Sequence, residues 1–132
     1  MISVLILTKN EQQDLPGCLQ SVSWSDDIHV YDSGSTDESV NVALSYGAKI
    51  TERKYDKNMP AFGGDESSHR NWGLENIPFR YSWVLVVDAD ERVTPGLRIS
   101  IQAKVISPGD MVAFRLQRRD FFLNTWLKHV QV

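Results

Sequence analysis

The feature that most constrains this chain is WVLVVDADERV at residues 83–93, where an unbroken apolar run ends in two carboxylates. Residues 84–87 are typical of a strand that is covered on both faces, as in a parallel sheet flanked by helices. Asp88 and Asp90 follow, and because side chains alternate along a strand, both carboxylates are expected to point the same way. They favour a hard divalent cation, Mg²⁺ or Mn²⁺, although a D-x-D can also be a solvated strand end or a helix cap.

Apolar runs alternate with helix-like segments along the rest of the chain. Strands are predicted at residues 2–7, 28–31, 49–52, 84–87 and 111–117. Helices are predicted from about Asp14, from a Ser35–Glu38 capping box to Gly47, from Ser67 or Ser68 to Pro78, and from Thr94 to Val105. Residues 55–68 predict a long loop that could serve as a lid. This order predicts an α/β fold with a mostly parallel sheet and right-handed crossovers.

Three polar segments follow strands of this predicted sheet, at residues 8–11, 32–37 and 88–91. Ligands of open parallel sheets bind beyond the carboxyl ends of the strands, so these segments are expected to converge on one site. The chain has no G-x-G-x-x-G after its first strand and no Walker glycine loop, which argues against a dinucleotide or a P-loop triphosphate. A cation on Asp88 and Asp90, helped by Arg70, could instead neutralise a diphosphate.

Length and composition narrow the class of protein further. The 132 residues fit one domain, and a net charge of −3 without a basic run argues against nucleic acid as a partner. No apolar stretch is long enough to span a bilayer, and ISVLIL follows Met1 without the features of a signal peptide, so we predict a cytoplasmic location. The single cysteine, Cys18, is predicted to be a buried core residue. His29 and His69 lack metal-ligand spacing and are predicted to be surface or hydrogen-bonded histidines.

Four segments together resemble a known family: LILTKNE, VYDSGSTD, HRNWGL and VLVVDADERV. In this order they resemble the N-terminal, donor-binding half of a family 2 glycosyltransferase of the GT-A fold. The chain is most similar to small bacterial enzymes that add sugars to the lipopolysaccharide core, through DADERVTP and the RRDFF segment. The resemblance implies transfer with inversion from a nucleotide-diphosphate sugar, favouring a UDP-sugar, to a glycan or lipid-linked acceptor. It implies a role in cell-envelope polysaccharide or lipopolysaccharide synthesis, in the cytoplasm or at the periphery of the inner membrane.

The resemblance also implies roles for individual residues. The nucleotide site would comprise Thr8, Asn10 and Glu11 around the base and ribose, Asp32 on the base, Arg70 on the base or diphosphate, and Asp88 at the ribose. Asp90, with Asp88, would hold the metal. Simpler roles remain open from the residues themselves: Asp32 as a turn residue, Arg70 paired with Glu66, and Glu91 as a structural group.

The resemblance covers the donor half only. Residues 1–132 are interpreted as one incomplete GT-A domain in which residues 111–132 begin the acceptor half, and the general base is expected beyond Val132. The apolar residues of segment 111–130 would then lack partners, which predicts a homodimer through that segment. Two alternatives remain: a non-catalytic nucleotide-binding remnant and a haloacid-dehalogenase-type phosphatase, whose D-x-D usually ends the first strand.

Overall fold

The computed structural model describes residues 1–53 and 66–127 of the chain. In chain order the elements are β1 (Ser3–Thr8), α1 (Leu15–Val22), β2 (Ile28–Asp32), α2 (Ser39–Ser45), β3 (Lys49–Glu52), α3 (Glu66–Asn76), β4 (Val84–Asp88), α4 (Pro95–Ile106), β5 (Asp120–Phe122) and β6 (Thr125–Leu127). The strands β1 to β4 form one sheet in the order β3-β2-β1-β4, and every pairing in it is parallel. The predicted mostly parallel α/β sheet is therefore confirmed.

Each face of the sheet has its own apolar core, which is what a sheet covered on both sides requires. On β1, Val4 and Ile6 belong to one buried cluster, together with Leu15 and Leu19 of α1. Leu5, between them in sequence, belongs to a second cluster with Tyr31 and Ile77. Because side chains alternate along β1, the two cores lie on opposite faces of the sheet. Helix α1 covers one face, and Ile77, directly after α3, packs on the other.

Several helix-end signals are confirmed. The Oγ1 atom of Thr94 accepts a hydrogen bond of 3.2 Å from the backbone N–H of Leu97, and Pro95 occupies the first turn of α4. Gly47 follows α2 with a φ of 74°, the left-handed conformation that glycine adopts without steric cost. Cys18 is fully buried in α1, as predicted.

The helix starts predicted at Ser35 and at Ser67 or Ser68 are wrong. Helix α2 begins at Ser39, because the Asp37 carboxylate accepts the Ser39 N–H at 3.0 Å, while the Ser35 hydroxyl is bound to Asp32. Helix α3 already includes residues 66–68, so these serines lie inside it. Residues 55–65 of the predicted loop lie outside the described residues.

The fifth strand predicted at residues 111–117 is also wrong. These residues are exposed and have no strand structure, and the next strands, β5 and β6, form a separate antiparallel hairpin. Leu123 and Asn124 at its turn have φ values of 48° and 60°, the geometry of a tight two-residue hairpin loop. An alternating pattern cannot form a strand unless a neighbouring strand supplies hydrogen bonds, and in the described chain none does so for residues 111–117.

A buried carboxylate joins the amino ends of three strands. Asp27, just before β2, is 0% exposed and accepts hydrogen bonds from the Ser3 hydroxyl at 2.5 Å, the Lys49 ammonium at 2.6 Å and the Arg80 backbone N–H at 2.8 Å. These bonds hold its pKa well below the ordinary range, against the effect of burial. The Nε2 atom of His29 lies 3.0 Å from the same carboxylate. Burial lowers the pKa of His29 more than Asp27 raises it, so at neutral pH a neutral imidazole donates to the ionised carboxylate.

Among residues 1–53 and 66–127, no helix combines the length and the apolar character that crossing a bilayer requires.

Candidate functional site

The carboxyl ends of β1, β2 and β4 meet at one edge of the sheet. Thr8, the last residue of β1, is in register with Asp32, the last of β2. On the other side of β1, Leu7 is in register with Asp88, the last residue of β4. The predicted convergence of the three polar segments is therefore confirmed, and we call this edge, with the residues that follow each strand, the carboxyl rim.

The loops after β1 and β2 are hydrogen-bonded to each other along the carboxyl rim. The side chain of Asn10 accepts a bond from the Thr36 N–H at 2.8 Å, and its own backbone N–H donates to the Ser35 hydroxyl at 2.9 Å. Asn10 has a φ of 56°, a left-handed conformation that asparagine tolerates better than most residues. The Glu11 N–H donates to the Ser39 hydroxyl at 2.9 Å. The predicted base-pocket residues Asn10 and Glu11 are thus fixed in place by the neighbouring loop.

Asp32 is enclosed by the loop that follows it. Its carboxylate is 1% exposed and accepts the backbone N–H groups of Gly34 at 2.9 Å and Ser35 at 2.8 Å, and the Ser35 hydroxyl at 2.5 Å. The turn role left open for Asp32 is therefore present. A carboxylate offers about four acceptor positions, so these bonds do not use its full capacity.

Arg70 reaches the carboxyl rim from α3 and binds Asp88. Its Nη2 atom lies 3.1 and 3.2 Å from the two carboxylate oxygens, and both side chains remain partly exposed. Glu91 accepts the backbone N–H of Asp88 at 2.9 Å and donates its own N–H to the Asp88 carbonyl, so it closes the turn after β4. The structural role predicted for Glu91 is confirmed, and Arg70 is joined to a partner that lies 18 positions along the chain.

Asp90 is exposed, and it contributes to a negative field at the carboxyl rim. The pKa of Glu11 is raised, mainly because the group is partly desolvated and then because Asp90, Asp14 and Asp37 lie nearby. Glu11 also lines a shallow depression on this side of the rim, with Asn10, Gln12, Gln13, Asp14 and Asp37. A cation beside Asp90 would reduce this repulsion.

The donor set at Asp88 and Asp90 fits a hard divalent cation only in part. Across residues 1–53 and 66–127, no three or more His, Cys, Asp or Glu side chains are grouped to hold a metal. Asp88 is already neutralised by Arg70, which leaves the exposed Asp90 carboxylate as the stronger candidate ligand. Mg²⁺ commonly uses one or two protein carboxylates and completes its shell with water and substrate phosphates. The residues present therefore fit a cation that arrives with a phosphate-bearing ligand.

The side-chain hydroxyl of Thr8, at the end of β1, is buried and unpaired among the described residues. The residue is 4% exposed, and its Oγ1 atom is buried with no hydrogen-bond partner in the described part of the chain. Buried hydroxyls are usually paired, so this atom marks a polar position at the end of β1.

Sequence reasoning missed one group of contacts at the carboxyl rim. The Ser33 hydroxyl and the His69 Nε2 atom share a hydrogen bond of 2.9 Å, and the imidazole stacks on Tyr31 with ring centroids 4.3 Å apart. The sequence predicts a surface or hydrogen-bonded histidine at residue 69, and the hydrogen bond is present. Its partner, 36 positions away, has no signal in the sequence.

Parallel strands whose polar carboxyl ends meet at one edge, with helices on both faces, define the class of open-sheet α/β domains that bind ligands at that edge. The model of Glycosyl transferase family 2 matches residues 3–131, and the chain belongs to this family. Its fold is accordingly the GT-A fold.

Two curated relatives show the range of similarity. An uncharacterized glycosyltransferase of Rickettsia typhi is 30% identical over 102 residues, which is 76% of this chain and 32% of the relative. The lipopolysaccharide core biosynthesis glycosyltransferase LpsC of Rhizobium meliloti is 27% identical over 123 residues, or 92% of this chain and 43% of the relative. The chain thus spans about a third of the length of the first of these relatives.

Solved structures agree on the fold. Glucosyl-3-phosphoglycerate synthase of Mycobacterium tuberculosis, crystallised with uridine diphosphate, superposes with a TM-score of 0.61 at 24% identity over 83% of this chain and 41% of its own. Residues 1–349 of S. aureus TarS also give a TM-score of 0.61, at 21% identity over 83% of this chain and 33% of that one.

Proposed function

We propose that the carboxyl rim binds a nucleotide-diphosphate sugar, with a UDP-sugar favoured, together with Mg²⁺ or Mn²⁺. The chain would be the donor-binding part of an inverting glycosyltransferase. The observation that supports this most directly is the meeting of Asp32, Asp88 and Arg70 at one edge of the sheet. Family membership supports the transferase over the phosphatase alternative. The mycobacterial synthase was crystallised with UDP and, in another structure, with Mn²⁺, UDP and glucosyl-3-phosphoglycerate.

In this proposal each residue has a distinct task. Arg70, held by Asp88, presents positive charge to the diphosphate, and Asp90 carries the cation. When bound, the cation supplies a positive charge that stabilises the leaving nucleoside diphosphate as its bond to the sugar breaks. Asp88 also faces the ribose. Because such interactions strengthen as negative charge develops on the leaving group, they favour the transition state over the bound donor.

The interlocked loops provide the base and ribose side of the proposed site. The hydrogen bonds of Asn10 and Glu11 hold the first loop against the second before a ligand arrives. Asp32 would accept a hydrogen bond from the base through its remaining acceptor capacity, and Thr8 offers its buried hydroxyl nearby. A prearranged site loses less entropy when it binds its ligand.

The biological setting is proposed at a coarser level. Similarity to LpsC over most of the chain supports a place in lipopolysaccharide or other cell-envelope polysaccharide synthesis. The acceptor would then be a glycan or a lipid-linked glycan. A homodimer through residues 111–130, of which residues 128–130 lie outside the described part of the chain, remains a further proposal. The exposure of Val112, Phe121, Phe122 and Leu123 in the described part of that segment supports it.

The proposal is tested by calorimetric titration of UDP with and without Mn²⁺. Binding is expected to strengthen with the metal, Asp90→Asn is expected to remove that gain, and Arg70→Met is expected to weaken UDP by about tenfold or more, since it loses a charge-assisted contact. Asp26→Asn is the matched control, because this carboxylate lies at the opposite end of β2 and pairs with Arg80. A wild-type chain that does not bind UDP refutes the proposal, and equal metal dependence in Asp90→Asn refutes the role of Asp90. A donor-hydrolysis assay on the same samples separates a transferase from a remnant that only binds.

A further inference from the structure

The Ser33–His69 pair connects helix α3 to the loop after β2 at the carboxyl rim. His69 lies in the first half of α3, and the 2.9 Å bond between its Nε2 atom and the Ser33 hydroxyl crosses to the loop after β2. The Tyr31 ring stacks on the imidazole at 4.3 Å, with the two planes 13° apart. His69 is therefore held by a directional bond as well as by packing.

Ser33 is itself fixed on the sheet. It is 4% exposed, and its backbone N–H donates to the Thr8 carbonyl at 3.0 Å. It directly follows Asp32, whose carboxylate binds the next two residues of the loop. A change in the position of Ser33 therefore also changes the loop that encloses Asp32 and the end of β1.

The next residue of α3 after His69 is Arg70. Successive side chains on a helix point about 100° apart, so His69 can face β2 while Arg70 faces β4. Both contacts are made: His69 binds Ser33, and Arg70 Nη2 lies 3.1 Å from Asp88. The helix also comes close to β2 at Gly73, where an added Cβ would lie 3.0 Å from the Tyr31 ring. Helix α3 is thereby anchored at the ends of two strands.

We propose that the Ser33–His69 hydrogen bond is a positioning contact that sets the Arg70 guanidinium relative to Asp32, and so matches the site to the length of a nucleoside diphosphate. The inference rests on the proposed function, because it places the base at Asp32 and the diphosphate at Arg70. His69 acts through Arg70 and does not itself contact the ligand. Removing the hydrogen bond leaves α3 packed on Tyr31 but lets Arg70 shift, so UDP affinity falls while the fold is retained.

Three variants separate positioning from packing. His69→Leu and Ser33→Ala each remove the bond, whereas His69→Gln keeps a side-chain amide that can donate or accept near the Nε2 position. UDP affinity, measured by calorimetry with Mn²⁺, is expected to fall about fivefold to tenfold in His69→Leu and in Ser33→Ala, the effect of one lost hydrogen bond, and to recover to within about twofold in His69→Gln. The double variant is expected to bind no more weakly than His69→Leu alone.

A second measurement needs no ligand. The side-chain Nε resonance of Arg70 in the free protein is expected to shift in His69→Leu and to keep its wild-type position in His69→Gln, with thermal unfolding as the check on folding. Any of three results would overturn the inference while leaving the proposed function intact. UDP affinity could be unchanged in both single variants, the losses could be additive in the double variant, or the Arg70 Nε resonance could keep its wild-type position in His69→Leu. If wild-type chain fails to bind UDP, the proposed function is what fails, and the inference fails with it.

Discussion

Replacing Asp27 is expected to cost more stability than replacing any exposed carboxylate among the residues that the structure describes. The carboxylate is fully buried before β2 and accepts hydrogen bonds from Ser3 and the backbone of Arg80, besides its contact with His29. Asp27→Ala would leave these groups buried without their partner. An unsatisfied buried polar group costs about 1–3 kcal/mol, and breaking a buried network by removing one member typically costs about 3–5 kcal/mol.

The Lys49 ammonium adds little to this cost, because its side chain is 59% exposed and returns to water when the carboxylate is removed. We therefore expect Asp27→Ala to lower the free energy of unfolding by about 3–5 kcal/mol, a large share of the roughly 5–15 kcal/mol of a typical domain. Asp27→Asn keeps the volume and some of the bonds, so it should fall between wild type and Asp27→Ala and guards against a variant that does not fold.

The assay is urea unfolding followed by tryptophan fluorescence and circular dichroism, with the midpoint and the slope both fitted. Asp26→Ala is the matched control: the neighbouring carboxylate is 48% exposed, its pair with Arg80 lies on the surface, and its loss should cost at most about 1 kcal/mol. If Asp27→Ala were no more destabilised than Asp26→Ala, with the slope unchanged, Asp27 could not be the structural link between the strand ends.

Four further predictions concern titration and reactivity. Burial holds the pKa of His29 below its ordinary value of 6.5, so the unfolded chain takes up this proton first and stability should decline as the pH falls below about 6.5; His29→Gln should remove that decline in urea midpoints measured from pH 8 to 5. A second loss, from Asp27, should begin below its ordinary pKa of 3.8, since its folded pKa is lower still. Cys18 is buried and its pKa is raised to about 12, so the thiol should react with Ellman's reagent only at the rate of unfolding, and fast labelling of native protein would contradict the burial. Asp90→Asn should lower the pKa of Glu11 in carboxyl-detected NMR titrations, and Mg²⁺ with UDP should lower it in wild type; an unchanged Glu11 pKa in Asp90→Asn would show that the two groups do not interact.

The site could be predicted as a set of strand ends but not as a set of contacts. The positions of Asp32 and Asp88 follow from two local patterns, an apolar run and the polar residues after it, together with the general geometry of parallel sheets. The sequence predicts Arg70 near the site, but it gives no sign that the guanidinium binds Asp88, because that partner lies 18 positions away on another element. The Ser33–His69 bond had no local signal at all.

Local signals also failed where two of them competed. Ser35 and Glu38 have the spacing of a capping box, but Ser35 binds the Asp32 carboxylate and the helix starts at Ser39 instead. The alternating residues 111–117 resemble a strand, but strand formation depends on hydrogen bonds from another segment. Ser35 had two available partners, and it bound Asp32. Residues 111–117 needed a neighbouring strand from a distant part of the sequence.

The positions of β1 to β4, the presence of a helix after each of them and the polar character of the strand ends follow from the amino-acid sequence alone, because side-chain periodicity acts over a few neighbouring residues. Only the tertiary structure decided how those polar ends are used: Asp32 enclosed by its own loop, Asp88 paired with Arg70, Asp90 left exposed, and Asp27 buried at the opposite edge. These assignments depend on distances between segments and on the exclusion of water, which exist only once the sheet and its helices have packed.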